Sequence, residues 1–173
     1  MRLAAALACA LAVAGCGGRA AERQGPGPPR DPSIVPTPVG PAPRWRPPPL
    51  SHAVRAARPV AGMRCGPLGG DRFGVHLELF AERRVLIVAA GIGVAPPHRR
   101  DGAYVRSGRC SYPIRTREPT GVLEVEPGRA HELGHLFDLW GQRLSPRRIG
   151  SFGGRVEAFV GGVRWHGDPR RIP

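Results

Sequence analysis

The stretch Arg129-Ala-His-Glu-Leu-Gly-His-Leu-Phe-Asp-Leu-Trp-Gly141 decides the predicted fold, because its apolar residues recur at helical spacing. Pro127-Gly128 breaks the preceding pattern, so a helix is predicted from about Ala130 to Trp140. Gly141 stands where a C-terminal glycine commonly ends a helix. One face of this helix is apolar, which predicts that it packs under a sheet. That stripe consists of Leu133, Leu136, Phe137 and Trp140.

The same segment contains an H-E-x-x-H match, which raises two metal-dependent alternatives. On a helix, two histidines four residues apart can bind one zinc ion, so His131 and His135 would be ligands and Glu132 the general base of a zinc metallopeptidase. A metal-binding or sensing module would add Asp138 without hydrolysis. These side chains are expected to point away from the core, opposite the apolar stripe. The peptidase also lacks a clear third ligand, since the downstream candidate, Glu157, falls in a predicted strand.

Alternating apolar and polar residues predict three hairpins around the helix. Residues 96–108 are predicted to form a polar loop. The fold class is therefore α+β, a small and mostly β domain over residues 60–173, with one sheet packed on one helix in a β-grasp-like order. The predicted strand pairs are 75–80 with 84–90, 111–118 with 121–126, and 155–160 with 163–166, the last pair joined by the two-residue turn Gly161-Gly162.

The N-terminus predicts an exported, membrane-anchored protein. Arg2 precedes an apolar run from Leu3 to Val13, which is too short to span a bilayer and has the length of a signal-peptide core. The following Ala14-Gly15-Cys16 completes a resemblance to a bacterial lipobox, in which the cysteine is acylated. Residues 1–15 are thus predicted to be a signal peptide, with a lipid anchor on Cys16 at the extracytoplasmic face of the cell membrane. An ordinary cleaved signal peptide is the alternative.

Residues 16–59 are rich in proline, which predicts a semi-stiff linker between anchor and domain. A proline-helix docking motif around Trp45 is the alternative interpretation. Beyond the linker, Cys65 and Cys110 are the two remaining cysteines, and in an oxidising compartment they predict one structural disulfide. A redox or metal-binding pair is disfavoured, because the two lack C-x-x-C spacing and an adjacent histidine.

The charge of the chain favours a membrane over nucleic acid. The 173 residues include 26 basic and 13 acidic side chains, giving a net charge of +13, and every basic residue is an arginine. The arginines are scattered and few aromatics lie near them, so no nucleic-acid partner is predicted. Attraction to an anionic membrane surface is the favoured interpretation.

Spaced motifs across most of residues 65–173 resemble those of an uncharacterised family of exported bacterial proteins and lipoproteins. The resemblance implies a non-enzymatic binding or envelope module, with an unknown protein or ligand as partner and no cofactor. It rests on Val75-His76-Leu77, Val88 to Val94, Cys110 to Glu118, Gly121 to Glu126, Leu133-Gly134 with Phe137 and Trp140-Gly141, Gly167 to Arg170, and Ile172-Pro173.

The chain departs from that family where relatives carry histidines. Arg115 and Arg117 occupy a His-Thr-His segment, and Gly74 and Glu124 stand where relatives tend to have histidine. The resemblance therefore implies that a metal-binding histidine cluster is mostly absent. It also implies that the H-E-x-x-H match arose on a structural helix, since His135 takes the place of a glutamine. Relatives continue past Ile-Pro into one more strand. His76, on an alternating strand, is predicted to be a surface histidine.

Overall fold

The computed structural model describes residues 50–173, and these form an α+β domain, as predicted. The helices are α1 (His52–Arg55) and α2 (Leu133–Trp140). The predicted signal peptide, the acylated Cys16 and the linker as far as residue 49 lie outside the described residues. The strands are β1 (Phe73–His76), β2 (Leu79–Ala81), β3 (Arg84–Leu86), β4 (Arg99–Asp101), β5 (Tyr104–Ser107), β6 (Ile114–Thr116), β7 (Val122–Val125), β8 (Leu144–Ser145), β9 (Arg148–Ile149), β10 (Phe152–Gly153), β11 (Ala158–Val160) and β12 (Val163–Trp165), and a 3-10 turn spans Pro169–Arg171.

Each predicted hairpin contains an antiparallel strand pair, with shorter strands than expected. These pairs are β2–β3, β6–β7 and β11–β12. Gly161 and Gly162, between β11 and β12, have φ values of 57° and 81°. Two successive positive φ values are typical of a type I′ turn, whose twist matches that of the flanking strands.

The predicted strand over residues 75–80 is divided between two sheets, which corrects its predicted pairing. β1 pairs with β7, with Phe73 opposite Val125, and forms the three-stranded sheet β1-β7-β6. After β1 the chain leaves this sheet, and β2 pairs with β3 instead. The last contact with the sheet is the Leu77 N–H, which donates to the Gly121 carbonyl at 2.9 Å. The alternation of apolar and polar residues continues through β1 and β2, so it does not show that the two strands pair with different partners.

Two further groups of strands are absent from the sequence prediction. Residues 96–108, predicted as loop, contain the β4–β5 hairpin, which buries Ala103 and Val105. Strands β8, β9 and β10 form a second three-stranded sheet directly after α2. Within residues 50–173 the strands divide among five small sheets, so they do not join into the single sheet of a β-grasp-like arrangement. Strands of two to four residues are too short to show a clear period.

Helix α2 begins three residues later than predicted and ends as predicted. Glu132 has an extended backbone at φ −116° and is the N-cap. Gly141 has φ 76°, and a Cβ there would lie 2.9 Å from the Ser51 Cβ, so both conformation and space require glycine. The predicted stripe is buried at Leu136, Phe137 and Trp140, whereas Leu133 is half-buried.

The core extends N-terminal to the predicted domain boundary at residue 60. Val54 of α1 is fully buried and belongs to the same apolar cluster as Trp140. Residues 50–59, assigned to the linker from sequence, therefore contribute a helix that packs on α2.

The predicted disulfide is present between Cys65 and Cys110, whose Cα atoms are 5.5 Å apart. It closes a loop across a sequence separation of 45 residues. Replacing both cysteines with alanine is expected to lower the free energy of unfolding by about 4 kcal/mol, mainly through greater entropy of the unfolded chain. Urea unfolding under non-oxidising and oxidising conditions measures this difference. The unfolding midpoint of reduced wild-type protein should equal that of the double variant. Equal midpoints for the double variant and oxidised wild type would contradict the expectation.

Candidate functional site

The H-E-x-x-H residues lie at the start of α2 and do not share one helical face. His131 lies two residues before the first helical residue, Leu133, in extended chain. The Glu132 N–H donates to Nδ1 of His135 at 3.1 Å, so His135 satisfies a backbone donor at the helix N-terminus. The two imidazole rings are 6.1 Å apart between centroids. The helical i, i+4 spacing on which the zinc interpretation depends is therefore not met.

The two carboxylates of the predicted site are bound by arginines of the 3-10 turn. Arg171 donates to both Glu132 carboxylate oxygens at 3.0 and 3.1 Å. Arg170 donates to both Asp138 oxygens at 2.9 and 2.8 Å. Since this turn packs over the face that was predicted to point outward, His131, His135 and Asp138 are half-buried. The 3-10 turn therefore partly covers the side of α2 opposite the apolar stripe.

These residues do not fit a zinc site. A catalytic zinc requires three protein ligands and an open position, with a free carboxylate as base. Instead, one guanidinium nitrogen of Arg171 donates to both oxygens of Glu132, and one of Arg170 donates to both oxygens of Asp138. Between residues 50 and 173, no three His, Cys, Asp or Glu side chains are grouped so as to hold a metal ion.

His131 carries a buried polar atom without a hydrogen bond, although its ring contacts that of His135. Its Nε2 atom is buried and has no hydrogen-bond partner within the described part of the chain. Burial, followed by the neighbouring His135, lowers the pKa of His131 below its ordinary value, so the ring is neutral at neutral pH. A neutral, buried and unpaired nitrogen is destabilising unless a ligand satisfies it. His131 lines a large apolar groove.

This apolar groove has a volume of about 1110 Å³ and lies between β1, the start of α2 and the β11–β12 hairpin. Its floor is the apolar face of the β1-β7-β6 sheet, because residues on one face alternate along each strand. Leu133 and Leu136 of α2 form one wall, and Phe152 and Val156 contribute to the opposite wall. The floor consists of Phe73, Val75, Ile114, Leu123 and Val125.

Most of the exposed large apolar side chains of the described chain converge on this groove. Seven such side chains are exposed, and five of them line it. Phe159, for example, is 60% exposed and Phe80 is 58% exposed. Soluble proteins rarely expose a large contiguous apolar patch, so such a patch indicates an interaction site. The five are Phe73, Val75, Phe80, Phe159 and Val160.

Strand β1 borders the groove with an unpaired edge. It is the outer strand of its sheet within residues 50–173. The Leu77–Gly121 hydrogen bond fixes which residues face β7, since bonded pairs alternate along an antiparallel ladder. By this alternation Phe73 and Val75 bond to β7, whereas the N–H and C=O groups of Gly74 and His76 point away from it. The side chain of His76 is exposed, as predicted, with Nε2 3.0 Å from the Thr120 carbonyl.

The opposite face of the same sheet is charged. Arg115 is buried, and its Nε lies 2.6 Å from Oε2 of Glu124, which also accepts from Arg117 at 3.2 Å. Arg72 bonds Glu126 at 2.6 Å, and burial, followed by Arg115, lowers the pKa of Arg72. Arginines at the positions where the resemblance places histidines thus form an internal ion-pair network, which leaves the apolar face for binding.

Comparisons with family models, curated proteins and solved structures find no significant match to this chain. The resemblance described from sequence therefore stays a prediction. Among the described residues no helix has the length and hydropathy needed to cross a membrane. The groove is absent from the features predicted from sequence. One signal was available, because Phe159 and Val160 are adjacent on a strand and cannot both face the same core.

Proposed function

We propose that the chain is a membrane-anchored lipoprotein whose folded domain binds an extended polypeptide segment in the apolar groove. The observation that carries this proposal is the open edge of β1 beside that groove. An extended segment that pairs with β1 satisfies the outward N–H and C=O groups of Gly74 and His76. It also projects alternate side chains over the face that Phe73 and Val75 leave exposed.

The charged side chains around the groove are largely paired, which leaves the apolar residues to select the partner. Arginine is twice as frequent as acidic residues in the chain, with 26 against 13. Along the groove the ratio is reversed, because four glutamates line it and only two arginines, Arg129 and Arg155. Arg171 and Arg164 offset the charges of Glu132 and Glu157, so apolar contacts rather than charge determine which segment the groove accepts. The four glutamates are Glu78, Glu82, Glu132 and Glu157.

Binding without catalysis suits the polar groups that line the groove. Glu132 is held by Arg171, and Glu157 is bound by Arg164. Both carboxylates therefore form ion pairs at the margin of the groove. The unpaired Nε2 of His131 gives the groove one buried polar contact, which supports a role in orienting the bound segment.

A proline at position 74 tests the proposal. We expect Gly74→Pro to weaken peptide binding at least about tenfold, because it removes an outward N–H and its ring obstructs the added strand. The N–H of residue 74 is not a ladder donor to β7, so the fold tolerates proline at this edge. The probe is a phage-displayed library of random linear peptides, selected on the chain from residue 17 onward, followed by anisotropy titration of the enriched peptides.

Gly74→Ala is the matched control, since its added Cβ meets only the Val122 side chain, at 4.0 Å. The alanine variant is expected to bind as wild type does, and both variants should melt within a few degrees of wild type. Enriched peptides are expected to carry apolar residues at alternate positions. Equal affinity for the proline and alanine variants, or enrichment no greater on wild type than on the proline variant, contradicts strand addition.

A further inference from the structure

A second depression, of about 520 Å³, lies at the C-terminal end of α2, and arginines dominate its lining. Arg170 is already paired with Asp138. Arg143, Arg147 and Arg148 are exposed, and none of them has a carboxylate of the described chain within 4.0 Å. Three unpaired guanidinium groups around one depression form a basic patch, defined here as Arg143, Arg147 and Arg148.

The basic patch lies where the N-terminal part of the chain joins the domain. Ser51 follows Leu50, the first described residue, and packs against Gly141 at the C-terminal end of α2. Gln142, the next residue, lines the same depression as the patch.

We infer that the basic patch binds the phosphate groups of anionic phospholipids. Guanidinium groups donate paired hydrogen bonds that match phosphate oxygens, and they are weakly hydrated compared with an ammonium group. The inference is independent of the groove and rests only on the membrane anchoring within the proposed function. The chain that leads to the predicted anchor enters the domain beside the patch, so anchoring raises the local concentration of lipid phosphates around these arginines.

Vesicle binding tests this inference with the chain from residue 17 onward, which carries neither the predicted signal peptide nor the acylated cysteine. Co-sedimentation is measured with vesicles of phosphatidylcholine alone and of equal parts phosphatidylcholine and phosphatidylglycerol. Each arginine near an anionic surface contributes about fivefold to partitioning. Replacing Arg143, Arg147 and Arg148 together with glutamine is therefore expected to reduce binding to the anionic vesicles on the order of 100-fold.

A matched triple variant distinguishes the effect of the basic patch from the effect of lowering the net charge of the protein. Arg64, Arg99 and Arg100 are also exposed, with no carboxylate of the described chain within 4.0 Å. Their replacement with glutamine removes the same charge and is expected to reduce binding only a few-fold. Equal losses in the two triple variants overturn the inference, as does equal binding to neutral vesicles. Thermal protection by inorganic phosphate without vesicle binding also overturns it, in favour of a discrete phosphate site.

Discussion

Trp140→Ala is expected to lower the free energy of unfolding by about 3–5 kcal/mol, the range for deleting a large buried aromatic side chain. Trp140 is 2% exposed and lies near the end of α2, where its ring centroid is 5.8 Å from that of Phe137. The side chain belongs to the cluster that joins α2 to α1 and to the β1-β7-β6 sheet. Its loss leaves a cavity that short strands with little core of their own cannot refill.

Urea unfolding followed by far-UV circular dichroism measures this effect. Phe159→Ala is the matched control, because Phe159 is a large aromatic residue that is 60% exposed, so its removal is expected to change stability by less than about 0.5 kcal/mol. A loss of less than 1 kcal/mol at Trp140 would show that α2 is not the element around which the core is packed. The same Phe159 variant is expected to reduce peptide binding, which separates the groove from the core.

The features that were predicted correctly depend on short-range patterns. The stripe through Leu136, Phe137 and Trp140 follows from helical spacing, and the β11–β12 turn follows from two successive glycines. The disulfide follows from there being two cysteines beyond the linker. Each of these predictions requires only a few neighbouring residues or a count, so tertiary structure does not alter it.

The features that were missed depend on which distant segment covers a surface. Phe73 and Val75 alternate like buried strand residues, and only the absence of a covering element makes them part of a groove. His135 matched a zinc motif, but the start of α2 at Leu133 makes it a capping partner of Glu132 instead. The start of α2 at Leu133 leaves His131 outside the helix, so the sequence match alone does not establish the i, i+4 geometry of the zinc alternative.

The alternation of residues predicts that the polar face of the β6–β7 hairpin is exposed, yet Arg115 on that face is 4% exposed. The segment after Cys65 covers it. Gly66 and Ser111 exchange backbone hydrogen bonds of 2.9 Å, and the Leu68 carbonyl accepts from Arg115 at 2.7 Å. The Cys65–Cys110 disulfide holds this segment against the hairpin. The guanidinium of this ion pair therefore lies in the interior, where its charge cannot be left unpaired, although Glu124 is only partly buried.

Glu124→Gln is accordingly expected to cost about 3–5 kcal/mol of unfolding free energy, because it leaves the Arg115 guanidinium buried without its counter-charge. Asp101→Asn is the matched control, since the Asp101–Arg106 pair also lies on a hairpin but both side chains are more than 60% exposed. Its expected cost is below about 1 kcal/mol. Equal costs in the two variants, measured by urea unfolding, would show that the Glu124 pair is effectively solvated.

The disulfide and the Glu124 ion pair should also be coupled, because the disulfide holds in place the segment that buries Arg115. In a background with Cys65 and Cys110 replaced by alanine, residues 66–68 are free to move away and water can reach the guanidinium group. The cost of Glu124→Gln is then expected to fall by at least about 1 kcal/mol, a departure from additivity within the range for groups that share one network. Strictly additive costs would mean that the segment stays over the hairpin through its hydrogen bonds to Ser111 and Arg115 alone.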